Sequence, residues 1–285
     1  MSISIGVNLF SVFQALNNDY FGTLEKVAAA GYTNVELITT NFMTGIRYSD
    51  SFPLQTIKNK LDELGLKPIA AHERLDQDAR NWDQLIQENA ELGCKAIVLP
   101  SAWIKNREDT LKTAEQLNAI GKKCKENGLQ FYFHNHFHEF KRWGDTTLYD
   151  ILVENTDPSY VKFELDLVWV MRAGLDPMAV LEKLGSRCDI VHQKDLNKDI
   201  VILNVFDALQ PGDEDLDMMQ LYRGKGYIQA GDFVDLGTGV IDFKATYDKI
   251  KEMGTIQYAF VENEGISDDK FTSIENDLKV LQKYV

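Results

Sequence analysis

The chain has 285 residues, 44% of them hydrophobic and 26% charged, with a formal net charge of −14 at pH 7 and a sequence pI of about 4.8. That length is ample for one large core, close to the ~250 residues typical of an eight-fold α/β barrel. So acidic a surface repels polyanions, so neither nucleic acid nor an anionic membrane is an expected partner.

The opening MSISIGVNLFSVF has no basic region and no small-residue cleavage site, and no apolar run reaches the ~18 residues of a membrane span. Neither a signal peptide nor a membrane span is expected, and the expected location is the cytoplasm. Cys94, Cys124 and Cys188 are scattered and odd in number, which argues against a disulfide framework.

In chain order the strand candidates are Ser4–Leu9, Asn34–Ile38, Pro68–Ala71, Ala96–Pro100, Gln130–His136, Val161–Asp166, Asp189–Gln193 and Tyr258–Glu262. Several are apolar on both faces, as parallel strands covered on both sides are. Between them run amphipathic stretches such as LQTIKNKLDELG and WDQLIQENAELG, six of which end in Gly as helices do, and Phe271–Tyr284 is the last helix. Eight strand–helix units predict a closed (β/α)8 barrel, the TIM-barrel architecture, as a single domain over residues 1–285. The rival, a doubly wound open sheet, calls for a Gly-rich turn after the first strand, where this chain reads NLFSVFQAL. Residues 197–234 are too long for an ordinary connection and read as an insertion after the seventh strand, on the catalytic side.

The five histidines, His72, His134, His136, His138 and His192, all lie at or just past the C-terminal end of a predicted strand. In a barrel those ends converge on one mouth, where such enzymes place their active sites. Taken singly, a strand-end histidine is more often a satisfied structural residue than a ligand. Glu139, Asp166 and Glu262 follow apolar runs, where a charge is costly unless paired or bound to metal. Carboxylates and imidazoles from different strands suit one divalent ion, and Mn²⁺, Mg²⁺, Co²⁺ and Zn²⁺ are all compatible. The competing reading is a set of strand-end salt bridges with Lys162, Lys194 and Arg172.

The segments GYTNVEL, AAH at Ala70–His72, GLQFYFHNHFHEF, FELDLVWVMRAGLDP, VHQKD, DLGTGVIDF and FVENE occur in this order. They resemble the xylose-isomerase-like barrel superfamily, the sugar isomerase/epimerase group, over nearly the whole chain. The resemblance implies one metal site with a ligand each from strands five to eight: a strand-five residue, Asp166, His192 and Glu262. Most relatives have Glu at the strand-five place, where counting from Gly128 puts His134. Two candidates therefore compete. His134 has the position, and Glu139 has the charge that the place usually carries. Glu139 is the favoured ligand here, with His134 and His136 facing the substrate.

A metal that chelates a carbonyl and its neighbouring hydroxyl stabilises the enediolate formed when the α-proton leaves. A carboxylate takes that proton and a second acid returns it, the roles expected of Glu139 and Glu262. Epimerisation, isomerisation and loss of a β-hydroxyl all branch from that species. The leading expectation is a metal-dependent isomerase or epimerase of a keto-sugar. The alternative is a dehydratase or β-eliminase of an inosose or 3-keto-glycoside, which the extra imidazoles of HNHFHEF bring forward. The expected partner is a small sugar or polyol, and the sequence leaves a homo-oligomer open.

Further lining roles fall to His72, to Trp169 as a stacking platform or core residue, and to Lys194, which shares a strand face with His192. Asp195 is expected to orient a neighbour. Gly237 and Gly239 form a weak phosphate-cradle signal with no basic cluster beside it, which favours a neutral sugar.

Overall fold

The computed structural model describes residues 2–74, 81–213, 216, 220–221 and 225–285. Its eight barrel strands are β1 (Ser4–Asn8), β2 (Asn34–Ile38), β3 (Lys67–His72), β4 (Ala96–Leu99), β5 (Gln130–His134), β6 (Val161–Asp166), β7 (Cys188–Gln193) and β8 (Tyr258–Val261). They form a closed barrel, with β1 parallel to both β2 and β8 through the same residue, Val7 paired with Val35 and with Val261. Helices between the strands start on short polar caps. Asn81, Asn106, Thr147 and Asp242 each accept an amide of the first helical turn. No described helix is long and apolar enough to cross a membrane.

Strand β5 ends two residues before its sequence-predicted end. Asn135 leaves the ladder and uses its side chain on β6 instead, accepting from Asp166 N at 3.0 Å and donating to Asp166 O at 3.3 Å. The Asn between two histidines thus clamps the β5 end to the β6 end.

Period-two alternation divides each strand between two environments. The outward set, among them Val7, Leu37, Ile97, Phe133, Leu165 and Val261, is buried against the helices in the main core. The inward set forms a small apolar plug of Ile69, Ala70, Ala96, Val98, Tyr132, Ile190 and Phe260. Gly6 of β1 makes room for that plug, because a Cβ there would lie 2.4 Å from Phe260 Cε1. Beyond the plug, towards the strand C-termini, the lumen turns polar.

The long β7 connection has a neck, where Asp195–Leu196 pairs antiparallel with Phe233–Val234. Buried Arg172 ties it down, donating to Asp232 Oδ2 at 2.8 Å and to Tyr227 O at 2.9 Å. Parts of the expected insertion, residues 214–215, 217–219 and 222–224, lie outside the described residues.

Candidate metal centre

Alternation brings Glu36 of β2, His72 of β3, His134 of β5, Glu164 of β6 and His192 of β7 to one level of the lumen. Glu36 Oε2 lies 2.6 Å from His192 Nε2 and 3.2 Å from His72 Nε2, and accepts from Asn8 Nδ2 at 2.6 Å. Glu164 Oε1 lies 3.0 Å from His134 Nδ1 and 2.9 Å from His192 Nε2. All of these but His72 are fully buried or nearly so. One step nearer the mouth, Lys194 Nζ lies 3.0 Å from Asp166 Oδ2 and 3.1 Å from Glu264 Oε1, and directly contacts Glu262 Oε2. His192 joins the two levels through its other nitrogen, with Nδ1 2.7 Å from Glu262 Oε2.

Among the described residues, two sets of side chains converge closely enough to hold an ion, each with ligand atoms all within 4.8 Å of one another: His134, Asp166, His192 and Glu262, and His72, His134, Glu164 and His192. They share two histidines. A neutral imidazole has one lone pair, so the sets are alternatives. The carboxylates decide between them. Glu164 takes His134 Nδ1, while Glu36 and Glu164 take His192 Nε2, which leaves His134 Nε2 and His192 Nδ1 to face the upper level. Carboxylate-backed imidazoles of this kind are how protein sites orient metal-binding histidines. Two carboxylates and two imidazoles suit a divalent ion and balance its charge. The ammonium of Lys194, resting on Asp166 and Glu262, marks the same place as one that holds a cation.

Burial disfavours every charge here, and each shift shows whether a partner overcomes it. His192 is held well above the histidine range, because Glu164 and Glu36 outweigh its burial. His134 is pushed well below it by burial and then by the charge on His192. Glu262 is held well below the carboxylate range, since Lys194 and His192 outweigh burial. Burial raises Asp166, and takes Glu264 up to about 7, in both cases against the pull of Lys194.

Asp166, His192, Glu262 and His134 are therefore brought together, with Lys194 among them and His72 one level below. Glu139, the ligand favoured from sequence, is in neither set. Its Oε2 accepts from His136 N at 2.9 Å, and its Oε1 lies 3.3 Å from His138 Nε2. A 3-10 turn over His138–Phe140 carries it away from the lumen, and burial lifts its carboxyl to about 8. In this arrangement the carboxylate of Glu139 is held by the turn that follows β5 and His134 takes the place beside Asp166, His192 and Glu262. His138 is spent on Ala102 O at 3.1 Å and stacks near Trp103. His136 lies over Trp169, ring centroids 5.4 Å apart, and Trp169, 1% exposed, packs also on Phe137 and Phe233. With so little surface, its indole is a wall behind His136 and not an open platform.

All three cations of the salt-bridge reading are paired, and only Lys194 is paired with Asp166 and Glu262 themselves. Lys162 pairs with Asp189 and Arg172 with Asp232, both away from the centre. The glycine cradle is already filled: Asp195 Oδ2 accepts from Gly237 N at 2.9 Å and Gly239 N at 3.0 Å. Sequence reasoning missed Glu36, Glu164 and Glu264. The signal was available, since NVELI and KFELD each set a glutamate inside an apolar strand, where only a paired charge is tolerated.

A family model described as xylose isomerase-like TIM barrel matches residues 24–284. The chain belongs to that family. Within the xylose isomerase-like barrels, the curated relatives it matches include inosose dehydratases. That of Clostridium tetani is 29% identical over 164 residues, covering 56% of this chain and 49% of its own. That of Geobacillus kaustophilus is 24% identical over 266 residues, covering 85% and 79%. The chain spans about half the length of several of these relatives. Among solved structures, a sugar phosphate isomerase/epimerase from Parabacteroides distasonis superposes with a TM-score of 0.73 at 24% identity, covering 99% of this chain and 94% of its own. The IOLI protein with a bound zinc atom superposes at 0.71 and 18%, covering 99% of both. At these identities the superpositions speak for the fold.

Proposed function

We propose that this barrel is a metal-dependent lyase that removes water, or another β-leaving group, from a cyclic keto-polyol of the inosose or 3-keto-sugar class. One divalent ion (Mn²⁺, Co²⁺, Zn²⁺ or Mg²⁺) would be held by His134, Asp166, His192 and Glu262, and when bound it supplies Lewis-acid polarisation of the substrate carbonyl and adjacent hydroxyl.

The observation that carries this reading is the asymmetry of the acid/base groups. Glu262 reaches the centre from β8, whereas what reaches it from β5 is the imidazole of His134, with His136 beside it at 5.2 Å between ring centroids and Glu139 bonded to His136 N. Exchange of a proton between two faces of one carbon is served by two opposed carboxylates. Elimination is served by one base at the α-carbon and one acid at the departing oxygen. Glu262, held anionic, takes the proton α to the carbonyl. The electron pair of that C–H bond becomes the double bond as the β C–O bond breaks. Lys194, whose ammonium sits at the centre, delivers a proton to the departing oxygen. The curated relatives named inosose dehydratase support the same class. The filled glycine cradle supports a neutral substrate over a sugar phosphate.

The test incubates chelator-stripped protein with Mn²⁺ and a panel of inososes and 3-keto-glycosides in deuterated water. Expected are an absorbing unsaturated ketone, loss of the β-substituent, and at least about a hundredfold loss of both in Glu262→Gln. Solvent deuterium in an epimer or isomer, with no leaving group released, makes the enzyme an isomerase instead. No saturable metal binding removes both readings.

A further inference from the structure

Lys194 is fully buried, and its ammonium touches three carboxylates at once: Asp166 at 3.0 Å, Glu264 at 3.1 Å, and Glu262 in direct contact. Two of the three, Asp166 and Glu262, belong to the converging set of four. Glu264 belongs to neither set. Lys194 stands two residues beyond His192, and Glu264 two beyond Glu262, both just past their strand ends, where they meet each other on the mouth side of the centre.

We propose that Lys194 is a built-in competitor for the metal, and that Glu264 is the carboxylate that draws it aside when metal binds. The inference rests on the metal reading above. A divalent ion bound to Asp166 and Glu262 would share their oxygens with the ammonium, and two cations on the same oxygens in a water-poor lumen repel strongly. Removing Lys194 outright would strand buried carboxylates, so the side chain stays and must have somewhere to go. The charges show where. Two carboxylates balance a divalent ion alone, whereas three balance the ion and an ammonium together. Glu264 is that third carboxylate, already within reach of Nζ, so the shift breaks two contacts and keeps one. In this arrangement the protein sets its metal affinity by an internal exchange of cations, and a loaded centre carries an ammonium at its edge.

The test is Mn²⁺ titration by calorimetry on chelator-stripped wild type, Lys194→Met, Glu264→Gln and the double variant at one pH. Lys194→Met should bind at least about fivefold more tightly, the low end of ordinary coupling between sites. Glu264→Gln should bind at least about fivefold more weakly, and its effect should shrink clearly when Lys194 is already Met, because it acts through the ammonium. Weaker or unchanged binding in Lys194→Met overturns the proposal and makes Lys194 a strut for the ligands. An equal Glu264→Gln effect in both backgrounds overturns Glu264's role. Should Lys194→Met fail to fold, Lys194→Gln keeps a polar head and must tighten binding in the same way, while Glu264→Gln in otherwise wild-type protein must still weaken it. Wild type that binds no Mn²⁺ defeats the metal reading itself. Wild type that binds it without tightening in either Lys194 variant defeats only this inference.

Discussion

Glu139 holds a carboxyl where burial lifts it to about 8, and its neighbour His138 is itself held down to about 4 by burial, so no cation there offsets the charge at neutral pH. Raised in the folded state, this acid binds more protons folded than unfolded between about pH 4 and 8. Its contribution to stability is therefore full at the acid end of that window and lost as pH rises through it. Glu139→Gln keeps an acceptor for His136 N and cannot ionise. Urea midpoints should show the variant gaining on wild type by a few kcal/mol from pH 5 to 9, with parallel curves ruling the account out. At the opposite extreme, Glu164 is held down at about 2, because Glu36 and burial are outweighed by His192 and His134. Glu164→Gln loses the negative charge that backs both ring nitrogens and should weaken Mn²⁺ binding by about 10- to 100-fold, whereas Glu139→Ala should leave it near wild type. Equal losses in the two variants would restore Glu139 to the centre. That Asp166, His192 and Glu262 would converge was legible because each lies at the end of an apolar strand. The backing glutamates were not singled out, because a charge inside a strand reads as a break in pattern until its partner strand is known.

Elements were legible where their pattern was strong, and the eight strands fall where the short apolar runs put them, within two residues at either end. What the period could not give was the return path after β7. There Asp195 does the work of a turn: its carboxylate accepts from Leu196, Gly237, Gly239 and Ile241, at 2.9, 2.9, 3.0 and 3.1 Å. Gly239 is required by close approach, since a Cβ there would lie 2.1 Å from Leu196 O and 2.3 Å from Asp195 Oδ1. Gly239→Ala should cost about 2 kcal/mol or more in thermal or urea unfolding, because the neighbour is backbone and cannot yield. Gly231→Ala, with nothing within 4 Å of its Cβ, is the control and should stay within about 0.5 kcal/mol. Similar losses at both would show the segment to be uniformly sensitive and not pinned at Asp195.

At the scale of the whole molecule, four neighbouring strands of one barrel supply the four candidate ligands, so an ion at the centre bridges a quarter-turn or more of the wall. Binding to the folded state alone raises stability by about 2.7 kcal/mol at a hundredfold excess over Kd. The unfolding temperature of stripped protein should climb steadily with Mn²⁺, and a flat response would show that no ion couples to the fold. The same barrel divides its interior unevenly. Nearly all apolar packing lies between strands and helices, and the lumen keeps only a short plug under its polar levels. Architecture and chemistry are thereby lodged in separate compartments of one chain. A change of side chain in the lumen above the plug thus touches the chemistry without reopening the packing that closes the barrel.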